Sequence, residues 1–174
     1  MATVRRRVPF PPAALVRAFN PVARAVLSSP MHGLADKTTV ILHVTGRKTS
    51  RRFDIPMGYV EINGKLFMLT IARWRVNLRG GADVEVTWRG RRRPMRAVLE
   101  EDPAAVAVAY QAVIGHLGWP RAARQLGIST PGDRQPTVIE LRDAAAEYGW
   151  TVVTLTARLR DTAATIRPIR PIRK

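Results

Sequence analysis

The chain has 174 residues, 46% of them hydrophobic, so it can bury one substantial core and is too short for two ordinary domains. Its 29 basic residues against 13 acidic ones give a formal charge of +16, which calls for an anionic partner unless it only reflects an arginine-rich genome. The absence of cysteine excludes disulfides, thiolate metal sites and a cysteine nucleophile.

The segment over residues 12–27 has apolar residues at helical spacing, with Arg17 and Arg24 among them, and this predicts an amphipathic helix. We expect residues 1–38 to form a helical lid over the apolar end of a barrel, and contact with an anionic membrane surface is the alternative. The two arginines interrupt the apolar run that a signal peptide needs, and no stretch reaches the ~20 apolar residues of a membrane span. We therefore expect a cytoplasmic protein, and peripheral contact at the inner face of the membrane is compatible with that expectation.

The middle of the chain has the pattern of an antiparallel β-meander. Runs rich in β-branched and aromatic residues predict five strands, over 39–44, Phe53–Ile62, Lys65–Ile71, Asp83–Trp88 and Arg93–Glu100. Asn63-Gly64 lies between the second and third strands and predicts a tight hairpin, because both residues tolerate positive φ. Arg89-Gly90 lies between the fourth and fifth strands. Such short spacing favours an antiparallel barrel over a βαβ fold.

The last third of the chain is predicted to be mainly helical. Asp102 is an N-cap residue followed by Pro103 at the first helical position, which predicts a helix running to about Leu117. Further helices are predicted over Trp119–Leu126 and Pro136–Tyr148. The valine- and threonine-rich segment Thr151–Leu159 predicts a strand that returns to the barrel.

The densest chemical feature is the turn Thr45–Arg52, which lies between two predicted strands. It offers four cationic side chains, three hydroxyl groups and Gly46, so its backbone N–H groups and its cations can converge on one phosphate. A solvated hairpin turn is the alternative. Farther along, Trp74 and Asn77 lie one helical turn apart and offer an apolar plane beside an amide that can bind a polar ring edge. A connector with Trp74 in the core is the alternative there.

No metal site or catalytic pair is predicted. The three histidines are far apart and lack metal-ligand spacing: His32, His43 and His116. His43 lies in a predicted strand, where we expect a core histidine with satisfied hydrogen bonds. Solvation at a strand end and helix capping explain the three acidic residues Glu100, Glu101 and Asp102.

Four segments, in this order, resemble the actinobacterial family of deazaflavin-dependent nitroreductases and quinone reductases, over roughly residues 25 to 130. They are Leu27–His32, Thr45–Ser50, Ile55–Tyr59 and Trp74–Gly81. Because that family has the split β-barrel of flavin reductases, the resemblance implies an α+β fold. We expect a split barrel of about six mainly antiparallel strands with flanking helices over residues 39–160, followed by a basic tail over 161–174.

The resemblance also implies which residues bind the coenzyme F420. The positions that hold its phosphate and the start of its glutamate tail correspond to Arg47, Lys48 and Thr49. The strand that lines the deazaflavin corresponds to Ile55, Pro56 and Met57. The element beside the ring corresponds to Trp74, Arg75 and Asn77. An anionic coenzyme of this kind would account for the excess of positive charge.

Two departures from the family bear on the phosphate contacts and on the catalytic residues, respectively. Phe53 stands three residues before Pro56, where many members have arginine. Members that reduce nitroaromatic compounds have a tyrosine cluster near the C-terminus, whereas Tyr110 and Tyr148 are widely separated here. The sequence therefore leaves the substrate and any protein proton donor unassigned.

The activity implied by the resemblance is hydride transfer from reduced F420 to a quinone, an enone or a nitro-type acceptor. An FMN-binding reductase of the same fold is one alternative. The other is a basic binding module for nucleic acid or an anionic membrane surface, although few aromatic residues accompany the cations and no specific nucleic-acid motif is present. The resemblance is compatible with both a homodimer and a monomer.

Overall fold

The computed structural model describes residues 3–6, 39–48 and 50–158. The predicted N-terminal lid helix, the segment Leu27–His32, Thr49 and the basic tail lie outside the described residues. The division into lid, barrel and tail therefore stays a prediction.

A curled antiparallel sheet of seven strands forms the centre of the described structure. Its strands are β2 (Thr39–Thr45), β3 (Arg52–Gly58), β4 (Val60–Ile62), β5 (Lys65–Thr70), β6 (Ala82–Trp88), β7 (Arg91–Glu100) and β9 (Thr151–Ala157). Their order across the sheet is β3-β2-β6-β7-β9-β5-β4. A separate two-stranded sheet pairs β1 (Arg5–Arg6) with β8 (Ile128–Ser129). The predicted α+β class, an antiparallel half-barrel with flanking helices, is confirmed, with one strand more than expected in the main sheet.

Both predicted hairpin turns are present. Asn63 and Gly64 have φ values of 51° and 73°, and Arg89 and Gly90 have φ values of 50° and 69°. Two consecutive residues with positive φ are the geometry of a type I′ turn, which matches the twist of the flanking strands.

The predicted meander is wrong in its connections. The run Phe53–Ile62 is divided at Tyr59 into β3, which pairs with β2, and β4, which pairs with β5. Moreover, β6 pairs with β2 and β7 rather than with β5, and the partners of β5 are β4 and β9. Periodicity reports which residues are buried and carries no information about which distant strand covers them.

The sheet buries apolar side chains on both faces. Leu66, Met68 and Leu155 point into the barrel interior, where they pack in one cluster of buried side chains. Phe67 and Val152 point to the opposite face and pack with the helices in a second cluster. This two-sided burial explains why apolar residues follow one another directly, over 66–69 in β5 and over 152–153 in β9, instead of alternating with polar residues.

The second cluster is covered by helices α1 (Pro103–Leu117), α2 (Trp119–Leu126) and α3 (Val138–Tyr148). Asp102 caps α1 by accepting a hydrogen bond from the backbone N–H of Ala105 at 2.9 Å, as predicted. The third helix begins two residues later than predicted because Thr137 is its N-cap and forms a capping box with Glu140. None of the helices in the described ranges combines the length and the hydropathy required to span a membrane.

Glu140 accepts hydrogen bonds from Arg134 in addition to those of the capping box. Its carboxylate accepts hydrogen bonds from Arg134 at 2.5 and 2.8 Å and one from the backbone N–H of Thr137 at 2.9 Å. These contacts, that from Arg134 foremost, lower the pKa of Glu140 from its usual 4.5 to about 2. A carboxyl group whose pKa is depressed by folding adds stability above its unfolded pKa and loses it as the pH falls through its folded pKa.

We therefore expect the free energy of unfolding to decrease through Glu140 as the pH falls from about 4.5 to about 2. In Glu140→Gln this part of the pH dependence should disappear, because the amide does not titrate. Chemical denaturation at a series of pH values measures it, with Glu147→Gln on the exposed face of α3 as the control. Parallel curves for the wild type and Glu140→Gln would contradict the expectation.

Candidate functional site

The cationic turn Thr45–Arg52 is closed by hydrogen bonds between its own backbone groups. The N–H of Gly46 donates to the carbonyl of Arg51 at 2.8 Å, and the N–H of Ser50, which has a φ of 52°, donates to the carbonyl of Gly46 at 2.9 Å. Arg47 and Lys48 are exposed at the tip, and within the described part of the chain neither forms an ion pair. Thr49, the third residue expected here, lies outside the described residues. The turn thus presents two cations whose charge no described carboxylate offsets.

Asn77 forms a hydrogen bond that joins this turn to the segment that contains Trp74. It lies in a 3₁₀ helix, Arg73–Leu78, between β5 and β6. Its Oδ1 accepts a hydrogen bond from the backbone N–H of Arg47 at 3.1 Å, and its Nδ2 donates to the carbonyl of Trp74 at 2.9 Å. Because an amide has two donor hydrogens and two acceptor lone pairs, Asn77 keeps one of each for a further partner.

Trp74 and Arg75, the other two residues expected beside the ring, differ in what their side chains contact. Trp74 is half-buried and packs against the barrel core, so it shares the helix with Asn77 while most of its apolar plane faces the protein. The side chain of Arg75 contacts the backbone just before the helix, because its Nη1 donates to the carbonyls of Ile71 at 2.5 Å and Ala72 at 3.3 Å. Arg75 therefore fixes the entry of the 3₁₀ helix.

A second contact anchors the helix to the end of β7. Arg79 makes a two-pronged hydrogen bond to Glu101 at 2.7 and 3.0 Å, and Nε of Arg75 lies 3.8 Å from the same carboxylate. The hydrogen bond from Arg79 lowers the pKa of Glu101, so this carboxylate stays ionised at neutral pH. Glu100 and Asp102 take part in local backbone capping, as expected.

Ile55, Pro56 and Met57 lie on β3, which is an edge strand. Among the described residues β3 pairs with β2 alone, so its alternate peptide groups point away from the sheet without a strand partner. Ile55 and Met57 pack against the barrel core, and Pro56 is exposed. Proline is suited to an edge strand because it has no N–H to offer a neighbour.

Two concave surfaces adjoin these elements. An apolar pocket of about 220 Å³ lies where β3 gives way to β4, and its walls include Met57, Phe67, Leu69 and Trp150. A more polar groove of about 470 Å³ lies at the base of the cationic turn, and its walls include Asn77, Arg52, His43, Asp54 and Arg92. The predicted residues Met57 and Asn77 thus contribute to different cavities.

His43 is fully hydrogen-bonded at the floor of this groove. Its Nδ1 lies 2.7 Å from Oδ1 of Asp54 on β3, and its Nε2 lies 2.9 Å from Oγ1 of Thr87 on β6. Sequence reasoning placed Arg52 in the cationic turn but did not predict that Arg52, Asp54 and Arg92 line one groove. The register of the paired strands β2, β3, β6 and β7 brings these three residues to the same face of the sheet. This register cannot be read from the sequence.

We expect Asn77→Ala to loosen the cationic turn, since the backbone N–H of Arg47 loses its acceptor. Amide hydrogen exchange at Arg47 should become about fivefold faster, as the loss of a hydrogen bond worth about 1 kcal/mol requires. Asn77→Asp is the matched control because it keeps the Oδ1 acceptor, and it should exchange at nearly the wild-type rate. Equal exchange in Asn77→Ala and the wild type would show that the turn holds its shape unaided.

Comparison with known proteins finds similar solved structures and no family. No protein-family profile and no curated protein sequence matches the chain. Among solved structures, one described as a domain-swapped dimer is similar with 19% identity and a TM-score of 0.41, over 83% of this chain and 98% of that one. A conserved hypothetical protein from Mycobacterium tuberculosis is similar with 17% identity and a TM-score of 0.42, over 98% and 96% of the two chains. A protein of Bacteroides thetaiotaomicron, provisionally named for 5-nitroimidazole antibiotic resistance, is similar with 9% identity and a TM-score of 0.38, over 87% and 82%.

Proposed function

We propose that the chain is an oxidoreductase that binds the deazaflavin coenzyme F420 and reduces a quinone, an enone or a nitro-type acceptor. One observation carries this proposal: the cationic turn is joined by Asn77 to the helix that bears Trp74, beside the open edge of β3. An anion site and a ring site are thereby held at a fixed distance from each other. The resemblance to the deazaflavin-dependent reductases motivates the choice of coenzyme.

The charges of the turn fit a phosphate-bearing coenzyme. Arg47 and Lys48 are exposed, lack ion-pair partners among the described residues, and lie on a turn whose backbone is already closed. Arg52, at the start of β3, extends the positive charge toward the groove. An anion bound here would form charge-assisted hydrogen bonds without having to displace an internal carboxylate.

The open edge of β3 fits the polar side of a ring system. A flavin or a deazaflavin has a pyrimidine ring with adjacent donors and acceptors, which can pair with the outward peptide groups of an edge strand. The remaining donor and acceptor of Asn77 lie at the cationic end of this strand. When bound, the coenzyme supplies the hydride, and the protein supplies orientation and a charged environment.

The apolar pocket beside Met57 is the natural place for the acceptor. It is lined by Phe67, Leu69 and Trp150, and such walls exclude water from an apolar ring. An acceptor bound in this pocket, at the end of β3, would lie near the strand that we assign to the coenzyme. An FMN-binding reductase would use the same elements, so the coenzyme has to be decided by titration.

A basic binding module is the second candidate, and the tip of the β6–β7 hairpin is the observation in its favour. The guanidinium carbons of Arg89 and Arg93 lie 4.6 and 5.3 Å from the centre of the Trp88 ring. The indole N–H of Trp88 donates to the hydroxyl of Tyr59 at 2.9 Å, which fixes the ring. Cations on an immobilised aromatic ring are a common feature of surfaces that bind polyanions.

We expect the purified protein to bind oxidised F420 with micromolar affinity and FMN more weakly, as measured by quenching of tryptophan fluorescence. Changing Arg47 and Lys48 together to alanine should cost about 3 kcal/mol, or about 150-fold in affinity, because two charge-assisted hydrogen bonds are lost. The control replaces Arg121 and Arg124, exposed on α2, with alanine and should leave the affinity nearly unchanged.

Three results would count against the proposal. Binding of F420 that survives the double substitution and is insensitive to salt would put the phosphate elsewhere. Binding of FMN in preference to F420 would favour the FMN reductase. If neither coenzyme binds while labelled nucleic acid binds through Arg89 and Arg93, the basic module is the function.

A further inference from the structure

The apolar pocket differs from the rest of the chain in its charge. None of the described residues on its walls is charged, although aspartate, glutamate, lysine and arginine make up 24% of the sequence and the formal charge is +16. The end of β3, the strand β5 and the helical layer supply these walls, for example through Met57, Leu69 and Leu126. The exposed arginines of α2, Arg121 and Arg124, are not among them. The excess of positive charge is thus kept out of this pocket.

The aromatic wall of the pocket is fixed by stacking. Trp150 is 4% exposed, and its ring stacks on that of Tyr110 with a centroid distance of 4.8 Å and an interplanar angle of 10°. The ring of Tyr148 lies 5.8 Å from the same indole at an angle of 31°. The two tyrosines, far apart in sequence, therefore meet on one indole. An acceptor that contacts this wall does not have to order it, so less binding energy is lost on association.

The cations that we assign to the coenzyme lie too far away to offset a charge in the pocket. Arg52 begins β3 and Gly58 ends it, so roughly 20 Å of extended strand separates them. At physiological ionic strength, interactions between exposed charges are largely screened beyond about 8 Å. A charged acceptor would lose hydration against the apolar walls without gaining an ionic partner from the coenzyme site.

The volume of the pocket limits the size of an acceptor. At about 220 Å³ it is smaller than the ~300–1,000 Å³ of sites for drug-sized ligands. One ring or two fused rings therefore suit it. Gln125 of α2 is an exposed side chain on its wall, whereas Val60 and Ile128 are buried. Gln125 thus marks the mouth of the pocket.

We infer that this pocket selects uncharged acceptors of one or two rings, and that the lack of a charged side chain on its described walls excludes anionic ones. This inference rests on the proposed function and narrows its substrate class. The positive charge of the chain serves the coenzyme, whereas apolar and aromatic contacts recognise the acceptor.

The reaction of such an acceptor balances. A quinone in the pocket gains two electrons and one hydrogen as hydride from the reduced coenzyme, and it takes one proton from water to become a hydroquinone. The second hydrogen of the reduced coenzyme leaves to the solvent as a proton. The quinone is thereby reduced by two electrons and the coenzyme is oxidised by two.

Two naphthoquinones that differ in one substituent test the selectivity. Menadione has a methyl group at the ring position where the second compound, a naphthoquinone sulfonate, has its sulfonate. With reduced F420 bound, the wild type should show a kcat/KM at least ~100-fold higher for menadione, because an ion that is desolvated without a partner binds far more weakly.

A change of charge at the mouth should alter this selectivity. Gln125→Lys adds a cation there and should lower the ratio of the two kcat/KM values about fivefold, the upper end of what an exposed ion pair provides. Because each variant is tested with the same two compounds, their different reactivities cancel. Gln135→Lys is the matched control: it adds the same charge at an exposed glutamine that does not line the pocket, and it should keep the wild-type ratio.

Binding is also measured without the coenzyme, by nuclear magnetic resonance. Menadione should shift the backbone amide signals of Phe67, Leu69 and Trp150 in the pocket and leave those of His43 and Asp54 in the polar groove unchanged. The sulfonate should leave the pocket signals in place at the same concentration. The chain has no cysteine, so menadione cannot alkylate a thiol and imitate binding.

The outcomes separate this inference from the proposed function. If F420 does not bind to the wild type, the proposed function fails and the inference falls with it. If F420 binds and the wild type reduces both quinones with similar kcat/KM, the inference alone is overturned. It is also overturned if Gln125→Lys and Gln135→Lys change the ratio equally, or if menadione shifts the groove signals instead of the pocket signals.

Discussion

The described fold depends on one strand, β9, which joins two groups of strands that otherwise share no ladder. On one side stand β3, β2, β6 and β7, and on the other stand β5 and β4. Val153 and Leu155 of β9 are completely buried in the barrel core, and burial of each such side chain is worth about 1.5–3 kcal/mol. Val152 on the opposite face packs with the helices. This strand thereby closes the sheet and attaches the helical layer to it at the same time, so the position of every candidate site residue depends on it.

Local features of the fold could be predicted from the sequence because their causes are local. Asn63-Gly64 forms its turn through two positive φ values, and Asp102 caps its helix through one hydrogen bond across three residues. The order of the strands could not be predicted in this way. Nothing in the run Phe53–Ile62 indicates that the strand divides at Tyr59. The division arises because its first part pairs with β2, which precedes the run in sequence, and its second part pairs with β5, which follows it.

The same limit applies to the candidate site. The turn at Arg47 and the helix at Asn77 were predicted as separate features, and the hydrogen bond of 3.1 Å between them joins residues 30 positions apart. Arg75 was expected beside the ring because of the family resemblance, and the sequence did not show that its Nη1 donates to the carbonyls of Ile71 and Ala72. The groove was not foreseen at all, since its walls come from four strands whose register has no signature in the sequence.

The break at Tyr59 leaves the barrel with a seam, because one continuous segment supplies both terminal strands of the sheet, β3 and β4. A seam of this kind can be filled from outside, and whatever fills it takes the place of a missing strand. A ring system bound along β3 would act as a short substitute strand and stabilise the barrel wall. A second copy of the chain that added its own strand at β3 would occupy the same peptide groups. If the proposed coenzyme binds along β3, it would therefore compete with edge-to-edge assembly for the same gap, and raising the concentration of either would displace the other.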